Sequence, residues 1–96
     1  MTKAEIIAKI AADNNLDKML VQEAVEGFFT IVKDTMANGE NLYVRGFGSF
    51  INKKRAEKVA RNISKKTSIT IAAHYIPSFK PAKTFVEQVK ESVKID

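Results

Sequence analysis

The chain has 96 residues, 45% of them apolar, with six Phe, no Cys, and sixteen Lys and Arg against eleven acids for a formal charge of +5. That length makes one domain, residues 1–96, with a core small for its surface, so a second copy of the chain is the expected supplement. The missing cysteine excludes a disulfide or thiolate metal site, and nothing behind Met1-Thr2-Lys3-Ala4-Glu5 has the apolar length of a signal peptide or membrane span, so a reducing, cytoplasmic setting is expected.

Thr2 followed by Glu5 is a capping box, which predicts a helix from about Lys3 with Ile6, Ile7, Ile10 and Ala11 on one face. Asn14-Asn15 ends it. Asp17 then caps a second helix, with Leu16 placed to pack on Val21 as a hydrophobic staple. Val21, Ala24, Val25, Phe28, Phe29, Val32 and Met36 step by three and four, a wide stripe that must be buried, until Asn38-Gly39 stops the helix.

From Leu42 the period becomes two, with Leu42 and Val44 on one face and Tyr43 and Arg45 on the other, which predicts a short strand. Gly46-Phe47-Gly48 is a turn into a second strand that begins with Phe50 toward the core. Beyond Ile51 neither Lys53, Arg55, Glu57 nor Lys54, Ala56, Lys58 could line an interior. Paired antiparallel with a return strand from Ser68 to Ile76, this segment should leave the body as a two-stranded ribbon, which by itself is marginal in water. Ile76-Pro77 reads as the end of the return strand. Pro81 reads as the first turn of a last helix that carries Phe85, Val86, Val89 and Val93 on one side.

Charge is segregated along this order. Ile51 to Lys83 holds nine Lys or Arg against the single acid Glu57, a net +8, so the rest of the chain is slightly acidic. Such a one-sided field attracts a polyanion, and duplex DNA or RNA is the most common polyanion available.

With these segments in place the sequence resembles the bacterial histone-like HU and integration host factor family across essentially its whole length. The resemblance is carried by Gly46-Phe47-Gly48-Ser49-Phe50, by Arg61-Asn62 at the arm tip, and by Ile76-Pro77-Ser78-Phe79-Lys80-Pro81-Ala82-Lys83, at these mutual spacings. It implies an α+β fold: an intertwined dimer with a helical base, a three-stranded antiparallel sheet and protruding two-stranded β-ribbon arms. Residues 1–39 would be the helical dimerisation part, 40–80 the sheet and DNA-binding arm, and 81–96 the C-terminal helix. The dimer core would include Phe28, Phe29, Val44, Phe47, Phe50 and Phe79. The arms would enter the minor groove of double-stranded DNA with low sequence specificity and bend or compact it in the nucleoid. The family usually has Arg-Asn-Pro at the tip, its proline wedging between base pairs, where this chain has Arg61-Asn62-Ile63, and the family's tip glycine is missing from Ser64-Lys65-Lys66-Thr67. Ile is among the apolar wedges that architectural proteins insert, so Ile63 is expected to take that role, with Lys65 and Lys66 adding phosphate contacts.

The residues expected on DNA are Lys3, Lys53, Arg55, Lys58, Arg61, Asn62, Ile63, Lys65, Lys66, Lys80 and Lys83. Arg55, Lys58 and Arg61 recur every three residues and so fall on both faces of a ribbon, which suits a groove with phosphates on each side. A guanidinium suits a narrow, electronegative minor groove, which favours Arg61; Asn62 is either a base contact or a turn former. Lys80 and Lys83 flank a helix start, where amides and the positive dipole end also favour phosphate. Lys3 sits badly for its own helix dipole, which hints at a phosphate partner. Arg45 stays unassigned. Most of the six Phe, at helical or strand spacing, read as core rather than as stacking platforms, with Phe47 near the dimer seam. His74 and Tyr75 read as structural, since one His without Cys lacks the company a metal needs. Capping and solvation explain Asp13, Asp17 and Glu23, and no nucleophile is paired with a base, so neither an enzyme nor a cofactor is expected. The competing readings are a site-preferring bending factor, a heterodimer with a paralogue, an RNA or ribosome-associated basic module, and a scaffold docking on acidic proteins.

Overall fold

The computed structural model describes residues 1–62 and 67–95, with the side chain of Asn62 also outside the description. It divides into two compact units, Met1–Thr35 and Met36–Asp96. Helix α1, Lys3–Asn14, opens on its capping residue: the Glu5 amide donates to the Thr2 hydroxyl at 3.2 Å. It closes on Asn15, whose left-handed backbone (φ 52°) is a conformation Asn tolerates better than most residues. Helix α2, Lys18–Ala37, starts with the Met19 amide donating to Asp17 Oδ1 at 2.8 Å. Past its end the Gly39 amide donates to the Met36 carbonyl at 2.9 Å, and Gly39 takes φ 82°, which only glycine adopts without strain.

In the first unit Ile7 and Val21 are buried, as the helical spacing predicts. Val32 and Met36 of the α2 stripe are buried as well, but its phenylalanines are not. Phe28 and Phe29 meet edge to face at 5.5 Å and stay 43% exposed each, on the rim of an apolar groove of about 490 Å³ that also takes in Ile6, Ile10, Leu20 and Val25.

The second unit holds an antiparallel sheet in the order β1 (Leu42–Val44), β2 (Gly48–Arg55), β5 (His74–Pro81), and a separate two-stranded ribbon, β3 (Lys58–Asn62) with β4 (Thr67–Ile71). Helix α3, Lys83–Ser92, follows β5, and the preceding Ala82 amide donates to the Phe47 carbonyl at 2.8 Å. Phe47 is the hub of this unit: its ring centre lies 5.0 Å from Phe79, 5.4 Å from Phe85 and 6.4 Å from Phe50. Gly48 makes the hub possible, because a Cβ there would come within 2.6 Å of both the Lys80 carbonyl oxygen and the Phe79 ring. Asn52 ties the approach to β1 onto β2, its amide donating to Asn41 Oδ1 and its Nδ2 to the Glu40 carbonyl, each at 2.9 Å.

Three expectations need correction. The outgoing strand is not continuous to the tip and the return strand is not one piece: both ladders stop at the same level, at Ala56-Glu57 and Ala72-Ala73. Alanine and glutamate are poor strand formers, and here they face one another across the ribbon. Pro77 does not end the return strand either; β5 runs through it to Pro81. The Asn52 amide points toward Asn41 on the β1 side, so the Asn52–Pro77 pair exchanges no hydrogen bond across β2 and β5, and Pro81 opposite Gly48 repeats that phase. Both prolines therefore turn their missing N–H to the open edge, where a strand tolerates it. Pro81 accordingly finishes the strand instead of starting α3, whose N-cap is Ala82.

Candidate nucleic-acid interface

Pairing register sorts the sheet into two faces. Leu42, Val44, Phe50 and Phe79 share one face, with Asn52 opposite Pro77 and Lys54 opposite Tyr75 toward its far end. Tyr43, Ser49 and Lys80 share the other, followed by Lys53 opposite Ile76 and Arg55 opposite His74. The expected cations Lys53, Arg55 and Lys80 are thus brought onto a single face, the one without phenylalanine, and all three are exposed.

At the end of that face lies a cleft of about 370 Å³ lined by Tyr43, Arg45, Ser49, Lys80 and Lys83. Three cations converge there on the first turn of α3, and Ala82 supplies no side-chain cap to that turn. Unsatisfied amides, the positive end of the helix dipole and three positive side chains make a place for a phosphate group. Arg45, unassigned from the sequence, joins the site because the turn after β1 (Phe47 amide to Val44 carbonyl, 3.0 Å, with Gly46 at φ 79°) folds it back beside β5. Tyr43 and Ser49 also belong here. Period-two counting puts Tyr43 opposite Leu42 and Val44, but its neighbourhood with Lys80 needs the register.

On the ribbon, Lys58 shares a face with Ile71, Ala60 and Ile69, whereas Arg61 lies on the other face with Val59, Ser68 and Thr70. The two cations point to opposite sides, as the spacing of three requires. Ile63, Lys65 and Lys66 lie outside the described residues. Lys3 is in the helical unit, where its Nζ is 3.2 Å from Glu26 Oε1, an acid that accounts for its position without a phosphate.

Electrostatically the two units differ. Among the described residues the ion pairs are Lys3–Glu26 and Lys9–Asp13, both in the first unit. Lys53, Arg55, Lys58, Arg61, Lys80 and Lys83 have no carboxylate within 4.0 Å among the described residues, so none of those residues compensates their charge. Among the same residues no three His, Cys, Asp or Glu side chains gather as a metal site would require, and no helix is long and apolar enough to cross a membrane.

This is the make-up of a polyanion-binding α+β protein, with a cationic sheet face and a polar ribbon continuing beyond it. Comparison with known proteins narrows the class. The family model described as "Bacterial DNA-binding protein" matches residues 1–90. The chain is 35% identical over 94 residues to the integration host factor subunit beta of Colwellia psychrerythraea, covering 97% of this chain and 99% of that one. It is 38% identical over 90 residues to the subunit of that name from a Marinomonas strain, covering 93% and 88%. Among solved structures it is similar to the Anabaena HU–DNA cocrystal structure (TM-score 0.85, 25% identity, 93% of this chain and 97% of that one) and to HU from Thermotoga maritima (TM-score 0.66, 26% identity, 94% and 100%). The chain belongs to the bacterial DNA-binding protein family, the group of HU and integration host factor. The sequence resemblance and the expected α+β fold hold.

Proposed function

We propose that two copies of this chain form a dimer that grips duplex DNA, lays its ribbon arms in the minor groove and stabilises a bend. The observation that carries this is the division of the sheet: one face holds uncompensated cations and the opposite face holds phenylalanines that the chain leaves partly open. Phe28 and Phe29 stay 43% exposed, Phe47 42% and Phe79 38%, which supports burial of Phe28, Phe29, Val44, Phe47, Phe50 and Phe79 against a second chain. The relatives named as a beta subunit make a paralogous partner the second form of this dimer.

On DNA, Lys53, Arg55, Lys80 and Lys83 hold backbone phosphates along the sheet and the α3 start, while Lys58 and Arg61 reach the two walls of the groove. Asn62 reads base edges and Ile63 replaces the family's proline as the wedge, with Lys65 and Lys66 on flanking phosphates. Lys3 contributes only where a phosphate outcompetes Glu26. The role is architectural rather than catalytic, at the nucleoid, with the full span 1–96 acting as one DNA-binding module.

Gel-shift measurements on linear, nicked and four-way DNA, with light scattering of the free protein, test this. The expected result is a dimer with log-log salt slope near −0.9 per neutralised phosphate and a preference for predistorted DNA. A monomer indifferent to DNA at low ionic strength refutes it. The wedge is tested separately: equal bend angles for wild type and Ile63→Ala would remove that role from Ile63.

A further inference from the structure

The cationic sheet face contains the chain's one histidine. His74 opens β5 directly opposite Arg55, with Lys53 one pair further along β2 and Lys80 farther down its own strand on the same face. Its Nδ1 lies 2.9 Å from the Ala72 carbonyl oxygen, in the gap where both ladders are interrupted. A carbonyl oxygen only accepts, so Nδ1 carries the proton and the ring is anchored, leaving Nε2 as the nitrogen a ligand can meet. In the neutral ring that nitrogen is an acceptor, which a phosphate oxygen repels; in the imidazolium it is a charged donor, which a phosphate oxygen binds. The charges around it are those of Arg55 and Lys53 from β2, Lys80 from β5, Lys58 opposite Ile71 at the start of the ribbon, and Glu57 in the gap. Among the described residues no carboxylate comes within 4.0 Å of the ring.

We propose that His74 is a proton-coupled phosphate contact, a switchable cation at the root of the arm that engages the DNA backbone only when its Nε2 is protonated. The proposal rests on the reading of this face as the DNA-binding surface. An imidazole gains its charge as pH is lowered, so binding takes up to one proton per chain and affinity falls as pH rises.

The test uses the full chain and a nicked duplex, with affinity measured over a salt series at pH 5.5 and at pH 8. One added phosphate contact per chain steepens the log-log salt slope by about 0.9, roughly an eightfold gain per chain at 0.1 M salt. Wild type should show both changes at pH 5.5. His74→Asn, which keeps a donor for the Ala72 carbonyl but no titratable charge, should bind at both pH values as wild type does at pH 8. His74→Lys, always charged, should bind tightly at both. A wild-type salt slope that is the same at the two pH values overturns the proposal without any variant, as does a pH response shared equally by wild type and His74→Asn. Loss of all DNA binding by wild type at either pH would instead overturn the assignment of the face.

Discussion

Gly48→Ala puts the most stringent demand on this packing. The added Cβ would lie 2.6 Å from the Lys80 carbonyl oxygen, 2.6 Å from Phe79 Cζ and 2.7 Å from Phe79 Cε1, where ordinary contact starts at 3.4 Å. The atoms must part by about 0.8 Å, the gap between those distances. The ring alone could swing, but Phe79 is held 5.0 Å from Phe47 and 5.1 Å from Phe50, and the carbonyl belongs to a strand paired Ser49 to Lys80. Overpacking of this kind costs about 1–3 kcal/mol. At the middle of that range a domain of this size loses roughly 8–16 °C in melting temperature. Circular dichroism melts at one fixed chain concentration measure it, since a dimer's melting point depends on concentration. Adding Phe79→Leu should recover only part of the loss, because the carbonyl clash remains. DNA affinity should fall too, as β5 is displaced at Lys80. A Gly48→Ala protein that melts within about 2 °C of wild type would refute the close-approach argument.

Removing the cations at the α3 start, Lys80→Ala with Lys83→Ala, should make the log-log salt slope of DNA binding less negative by about 1.8 per chain, about 3.6 for the dimer, while leaving the melting temperature near wild type; an unchanged slope takes both residues off the DNA. Asn52→Ala breaks the 2.9 Å hydrogen bond from its side chain to the Glu40 carbonyl while keeping the backbone amide bond to Asn41, and should cost about 0.5–1.5 kcal/mol in urea denaturation. Gly39→Ala, at φ 82° with open space around the added methyl, should lose roughly 1–2 kcal/mol through backbone strain alone, and a rise in calorimetric melting temperature would contradict it.

The extent to which the sequence was legible follows from the range of each interaction. The helix starts at Thr2 and Asp17 and the stops at Asn15 and Gly39 depend on residues within one turn, so composition and spacing determined them without reference to the rest of the chain. The +8 segment was equally local, being a count along the chain. The breaks at Ala56-Glu57 and Ala72-Ala73 were not, because a strand ends where two distant segments both stop pairing. Nor was the tolerance of Pro77 and Pro81, which depends on which way each amide points in a register set by β1. Which cations share a face was decided by that register as well. It set Lys53, Arg55 and Lys80 together, drew Arg45 and Tyr43 to the α3 start, and placed His74 opposite Arg55. Sequence spacing alone determined what charge the chain carries and where its helices begin. Tertiary pairing alone decided which side of the sheet that charge faces, because shifting a strand by one residue turns every one of its side chains to the opposite face.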